Sequence, residues 1–86
     1  MPARVVMYRT RYCPYCVLAK RLLDKKGVRF EEIDVSGDLE KRRWLCEVTG
    51  RHKVPQIFIG DRAVGGFDEL YRLERAGKLD ALLAGE

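Results

Sequence analysis

The chain has no apolar run approaching the ~18 residues that a membrane-spanning helix needs. Its start, Met1-Pro2-Ala3-Arg4, lacks the hydrophobic segment of a secretory signal and leads straight into a strand pattern. Cysteine is scarce. There are three, an odd number, which does not suit a small secreted fold stapled by disulfides. A single histidine, His52, leaves little material for a zinc centre. No linker, repeat or low-complexity stretch divides the 86 residues, so one domain over residues 1–86 is expected. Together these absences point to a small protein in a reducing, cytoplasmic setting without a membrane partner. In that setting a disulfide is transient and catalytic, not structural.

What is present can build a core: 47% of the residues are hydrophobic. The formal net charge is +4, with the two signs interleaved, as in Glu40-Lys41-Arg42-Arg43. Such a surface reads as a solvated one with a modest basic excess, which suits an anionic small molecule as well as any polymer. Nucleic acid is not expected as a partner.

The most informative residues are Cys13-Pro14-Tyr15-Cys16. The tetrapeptide follows an apolar strand candidate, Val5-Val6-Met7-Tyr8, and precedes a helical pattern. A Cys-x-x-Cys between a strand and a helix reads as a redox pair. The first turn of a helix offers unpaired N–H groups and the positive end of the dipole, so a thiolate is favoured there. The thiolate is the nucleophile. Cys13 lies at that edge, and Cys16 lies one turn inside, close enough to form a disulfide with it.

Residues 4–8 are expected as a strand and 15–26 as a helix, with Val17, Leu18, Ala19, Leu22 and Leu23 on its apolar face. Gly27 is a terminator. Residues 28–34 alternate as a second strand. Ser36-Gly37-Asp38 caps a helix over 39–49, whose buried side is Leu39, Trp44, Leu45 and Val48. Gln56-Ile57-Phe58-Ile59 is a third strand, and Gly60-Asp61-Arg62 turns it into a short return strand at Ala63-Val64. Gly65-Gly66 opens a last helical region, broken near Gly77, with Leu70, Tyr71, Leu73, Leu79, Leu82 and Leu83 as its stripe. The order is βαβαββα. Its first half argues for parallel pairing with a right-handed crossover, and the hairpin adds an antiparallel edge. The fold class is α/β, a mixed four-stranded sheet flanked by helices.

This order, with Cys13-Pro14-Tyr15-Cys16, Val54-Pro55 before Gln56-Ile57-Phe58-Ile59, and Gly65-Gly66-Phe67-Asp68, resembles the glutaredoxins, the glutathione-linked branch of the thioredoxin fold. The resemblance covers essentially the whole chain and is to the dithiol class, of the bacterial glutaredoxin 3-like kind. It implies a cis bond at Val54-Pro55 that turns the Val54 backbone toward the dithiol, where it can pair with an extended peptide-like ligand. Gly65-Gly66 lets the backbone approach a ligand, and the N–H groups of Phe67 and Asp68 form a carboxylate site at a helix N-terminus. By resemblance that carboxylate is the γ-glutamyl end of glutathione, with Asp68 meeting its ammonium. Tyr15 lines the groove, and Arg42 reaches the glycyl carboxylate. The glutathione-binding set is therefore Arg11, Tyr15, Arg42, Val54, Pro55, Gly66, Phe67 and Asp68. The chain departs from the family pattern at Thr10, where a lysine is usual, and at Lys53, where a threonine is usual. Arg9 and Arg11 flank Thr10 and one of them replaces the lost charge. Arg11 is counted in the set, although the sequence leaves the choice between the two open.

Cys46 is expected as a buried or half-buried inert thiol in the helix, and His52 as an exposed loop residue. Cys13, Cys16, Cys46 and His52 do not have the spacing of a compact zinc site, and no metal is expected.

The resemblance implies a glutathione-dependent thiol–disulfide oxidoreductase with Cys13 and Cys16 as catalytic residues and glutathione as reductant. Its partners are disulfide-containing or glutathionylated proteins, and the chain is expected as a monomer. Family potentials of roughly −200 to −230 mV suit coupling to the glutathione pool. Two rival readings exist. One is a glutaredoxin-like redoxin served by a flavoprotein, a type that lacks the Gly-Gly-x-Asp motif found here. The other is an iron–sulfur and glutathione binding module, against which Pro14 and Cys16 argue.

Overall fold

The structure, a computed structural model, describes residues 2–85. Strand β1 (Val5–Arg9) leads to helix α1 (Pro14–Lys25), strand β2 (Glu31–Asp34) and helix α2 (Leu39–Thr49). Strands β3 (Gln56–Ile59) and β4 (Arg62–Gly65) follow, then helices α3 (Phe67–Arg75) and α4 (Leu79–Leu83). The sheet order is β2-β1-β3-β4. β1 pairs with β2 in parallel, Tyr8 opposite Ile33, and with β3 antiparallel, Met7 opposite Ile57. The β3–β4 hairpin is antiparallel, with a register irregularity at Ile57/Phe58. This is the expected mixed sheet with helices around it.

Local chemistry sets the boundaries. Pro14 occupies the first helical position of α1, where its missing N–H costs nothing, and Cys13 is the N-cap. Asp38 caps α2, its Oδ1 accepting the Lys41 N–H at 3.0 Å. Gly50 ends α2 in the left-handed region, φ 70°, and donates its N–H to the Cys46 carbonyl at 2.8 Å. β2 lies at an edge and carries charge. Glu31 pairs with Arg4 and Glu32 with Arg9, which discourages edge-to-edge association.

Alternation along the two central strands creates two unlike faces. Val5, Met7, Ile57 and Ile59 point to one side, where Ala19 and Leu23 of α1, Leu70 of α3, and Leu79 and Leu83 of α4 close the core. Tyr8 and Phe58 point to the other side and meet Trp44 of α2. Their ring centroids lie 5.6 Å apart for Tyr8–Trp44, 5.7 Å for Tyr8–Phe58 and 6.4 Å for Trp44–Phe58.

This second face corrects the expectation for α2. Only Leu45 is buried. Leu39, Trp44 and Val48 are exposed, because the helix rests on the aromatic edge of the sheet instead of inserting a full apolar stripe. In α1 the buried stripe is Cys16, Ala19 and Leu23, at i, i+3 and i+7, which leaves Val17 and Leu18 outside it. Tyr71 is likewise exposed. The second strand is shorter than expected, with Val28 and Phe30 packing against the core from the loop before it. The last helical region divides at Gly77, φ 72°, into α3 and α4.

The two helix faces should differ in their mutational cost. Leu23→Ala removes a fully buried side chain and should lower the unfolding free energy by about 2–5 kcal/mol. Leu39→Ala should change it by less than about 0.5 kcal/mol. Urea denaturation followed by circular dichroism checks both, and equal costs would contradict this core assignment.

Candidate active site

The chain leaves β1 through Thr10-Arg11-Tyr12 and enters α1 at the dithiol. The Arg11 N–H donates to Ser36 Oγ at 2.9 Å, which ties this turn to the loop after β2. Cys13 Sγ accepts the Cys16 N–H at 3.2 Å, a first-turn donor that it shares with the Cys13 carbonyl at 3.1 Å. On the other side the Cys13 thiol donates to the Val54 carbonyl at 3.5 Å. Both cysteines are free thiols, and their environments differ. Cys13 keeps an exposed edge, 9%, whereas Cys16 is fully enclosed. Burial, with the Cys13 sulfur beside it, pushes the Cys16 thiol up to about 12. A Thr10 backbone hydrogen bond and the Arg9 charge oppose this without overcoming it. Cys16 is therefore a protonated thiol near neutral pH, and Cys13 is the sulfur that a substrate can reach.

Opposite the dithiol lies the Val54-Pro55 segment, whose peptide bond is cis. The buried Gln56 side chain holds the preceding turn, its Nε2 donating to the Lys53 carbonyl at 2.7 Å. The N-terminus of α3 comes against Pro55. A Cβ on Gly66 would stand 3.3 Å from the Pro55 carbonyl oxygen. Gly65, at φ 114°, would place a Cβ 3.0 Å from the Glu69 side chain. Glu69 fastens this corner, because its Oε2 accepts the Gly66 N–H at 3.1 Å while Oε1 pairs with Arg51. Burial pushes the Glu69 carboxyl up, but the Arg51 guanidinium and the backbone donors outweigh it and hold the group below the usual range. The result is a groove of about 190 Å³.

Six of the expected binding residues line that groove together: Tyr15, Val54, Pro55, Gly66, Phe67 and Asp68. Asp68 does not cap α3, since the N-cap is Gly66, and its side chain is exposed. Arg11 and Arg42 do not line the groove. They share a separate depression with Thr10, Tyr12, Ser36 and Gly37. The reason is that Arg42 sits in the first turn of α2, while Arg11 turns toward Asp34, 3.5 Å from its Oδ2. The residues that the sequence reading left out of the set are Arg51, Lys53, Gln56 and Glu69. Nearness to Val54-Pro55 was the available signal for the first two. Glu69, three residues after Gly66, has the spacing of a capping box. A larger and more apolar cavity, about 520 Å³, lies around Val5, Val28, Phe30 and Leu83, but no cysteine lines it.

His52 is an exposed loop residue and Cys46 is half-buried, both as expected. The two nevertheless meet, with Cys46 Sγ 3.4 Å from His52 Nδ1. Among the described residues, no three His, Cys, Asp or Glu side chains gather as a metal site would require.

The model of the glutaredoxin family matches residues 5–64. The chain belongs to the glutaredoxin family. It is 56% identical to a glutaredoxin of Pseudomonas aeruginosa over 80 residues, covering 93% of this chain and 95% of that one. It is 47% identical to glutaredoxin 3 of Escherichia coli K12 over 81 residues, covering 94% and 98%. Among solved structures, the solution structure of glutaredoxin from Brucella melitensis matches with a TM-score of 0.88 and 50% identity, covering 99% of this chain and 94% of that one. A buckwheat glutaredoxin–glutathione complex matches with a TM-score of 0.88 and 32% identity, covering 94% and 76%. The fold is the thioredoxin fold of this glutaredoxin, and its activity is that of a glutathione-dependent thiol–disulfide oxidoreductase.

Two results should follow from this geometry. Of the two dithiol cysteines, a neutral alkylating reagent near neutral pH should modify Cys13 first, with Cys16 reacting only after the chain unfolds; peptide mapping by mass spectrometry reads the order. Native-state labelling of Cys16 as fast as Cys13 would contradict the enclosure described here. Gly65→Val should unseat Glu69 and Arg51, lower stability by about 1–3 kcal/mol and impair turnover, measured by thermal unfolding and by mixed-disulfide reduction.

Proposed function

We propose that this glutaredoxin uses Cys13 as nucleophile and Cys16 as resolving thiol, with glutathione seated in the groove between Tyr15, Val54 and the start of α3. The observation that carries the reading is the 3.5 Å contact between the Cys13 thiol and the Val54 carbonyl. The reacting sulfur thereby opens onto the same backbone segment that would pair with a peptide.

With a protein disulfide, the Cys13 thiolate attacks one sulfur, the substrate disulfide breaks, and the released thiolate takes up a proton. Cys16 then attacks Cys13 in the mixed disulfide, freeing the second substrate thiol and leaving Cys13–Cys16 oxidised. Two glutathiones reduce that pair and leave as glutathione disulfide. With a glutathionylated protein, Cys13 attacks the glutathione sulfur and the protein thiol leaves. A second glutathione then releases the first as the disulfide. Only the first route needs Cys16.

Glutathione carries two carboxylates and one ammonium, so a specific groove needs both signs of charge. The N–H groups of Phe67 and Asp68 at the head of α3 take the γ-glutamyl carboxylate, and the Asp68 side chain takes the ammonium. The glycyl carboxylate lies toward Lys53, which lines the groove, whereas Arg42 and Arg11 stand in the neighbouring depression. The substrates are disulfide-containing and glutathionylated proteins, met by a monomer in the cytoplasm.

Cys13→Ser should abolish all activity. Cys16→Ser should still remove glutathione from mixed disulfides but lose efficient reduction of protein disulfides. If Cys16→Ser were as inactive as Cys13→Ser on a glutathione mixed disulfide, the division of roles would be wrong. Charge-assisted hydrogen bonds contribute ~1.5–3 kcal/mol, about tenfold or more in affinity. Lys53→Glu and Asp68→Lys should each raise KM for glutathione by about that factor, with alkylation of Cys13 by a neutral reagent unchanged. A larger effect of Arg42→Glu than of Lys53→Glu would move the glycyl carboxylate to the Arg11–Arg42 depression.

A further inference from the structure

The third cysteine is not isolated. Cys46 lies in the last turn of α2 with its Sγ 3.4 Å from Nδ1 and 3.5 Å from Nε2 of His52. A thiol and an imidazole at this separation are the two parts of an activated nucleophile: the sulfur attacks and a ring nitrogen takes its proton. Because the two distances are nearly equal, neither nitrogen is aimed at the sulfur, and a turn of the ring is the motion that brings one of them into line.

His52 is held there from both sides. Gly50 donates to the Cys46 carbonyl at 2.8 Å, and the Arg51 N–H donates to Thr49 Oγ1 at 3.1 Å. Beyond His52, Gln56 holds the Lys53 carbonyl. The loop therefore delivers the imidazole to the thiol by backbone and side-chain bonds that do not involve Cys46 Sγ. The thiol is only half-buried and the imidazole is exposed, so the pair is open to solution. Arg42 and Arg43 stand one turn earlier on α2 and Lys53 follows His52, all three exposed, with Glu47 the adjacent acidic residue. An anionic disulfide fits these surroundings better than a cationic one.

We propose that Cys46 and His52 form a second thiol–disulfide exchange site, at which glutathione disulfide leaves a glutathionyl group on Cys46. The Cys46 proton passes to His52, and the thiolate attacks one sulfur of glutathione disulfide. That S–S bond breaks, the Cys46–glutathione bond forms, and the departing glutathione thiolate takes the proton from the imidazolium. One disulfide is consumed and one is made, so no other oxidant is needed. The oxidised glutathione is the product that the enzyme's own turnover releases. The adduct would stand beside His52, which lies between two groove residues, Arg51 and Lys53.

The test uses the full chain with Cys13→Ser and Cys16→Ser, which leaves Cys46 as the sole thiol and makes the result independent of glutathione binding at the dithiol. The folded double variant is incubated with glutathione disulfide near neutral pH and followed by intact mass and peptide mapping. One glutathionyl group per chain, on Cys46, is expected. Adding His52→Ala, or His52→Asn if the first variant is not folded by circular dichroism, should slow the reaction on the order of tenfold or more. In denaturant the variants with and without His52 should react at equal rates, because the pairing needs the fold. No adduct on the folded chain, or the same folded-state rate without His52, would overturn the proposal.

Discussion

The structure turns on the seating of one sulfur atom between two backbone groups. Cys13 Sγ receives the Cys16 N–H at 3.2 Å from its own helix and faces the Val54 carbonyl at 3.5 Å from a distant segment. The first contact comes from ending β1 and starting α1 within a few residues. The second requires the Val54-Pro55 segment to be brought alongside, and every other feature of the site serves that approach. β1 is paired with β3, which fixes where β3 begins. Gln56 and Lys53 shape the turn that precedes it. The side-chain-free surface of Gly66 lets α3 close against Pro55.

A consequence is that the two thiols, three residues apart, are chemically unlike. The helix rotates Cys16 onto the same stripe as Ala19 and Leu23, so it enters the core, while Cys13 stays at the cap. Burial keeps Cys16 protonated near neutral pH and out of reach of a substrate. The proposed order of the chemical steps therefore rests on the same periodicity that packs α1 on the sheet. Glu69 plays a comparable double part. It closes the first turn of α3 through Gly66, and through Arg51 it ties that turn to the loop before Val54.

Much of this was legible in the residues. The order βαβαββα follows from strand alternation, helical spacing and turn chemistry, its last helical region dividing at Gly77 into two, and the bounds of α2 and β3 coincide with expectation. The departures share a cause. Leu39, Trp44 and Val48 carry the pattern of a buried helix side, but the sheet face they meet already carries Tyr8 and Phe58, and an aromatic edge needs only Trp44 to cover it. Val28 and Phe30 look like strand residues because they alternate, yet they pack from a loop. Periodicity reports that a residue is apolar on a repeating side. It does not report what stands opposite.

The sequence by itself determined the dithiol, its place at a helix N-terminus, the proline that opens that helix and the glycines that permit a close approach before α3. These are local matters, decided by backbone freedom and by spacing within one turn. Only the tertiary structure decided which cations share the groove. Arg42 and Arg11 were expected there and stand in a neighbouring depression, while Arg51 and Lys53 take the wall. It also brought His52 to Cys46 across the end of α2. A long, flexible cationic side chain has no preferred direction of its own. Where it points is fixed by the partners that the fold supplies, Asp34 for Arg11 and Glu69 for Arg51, and those partners come from elements distant in the chain.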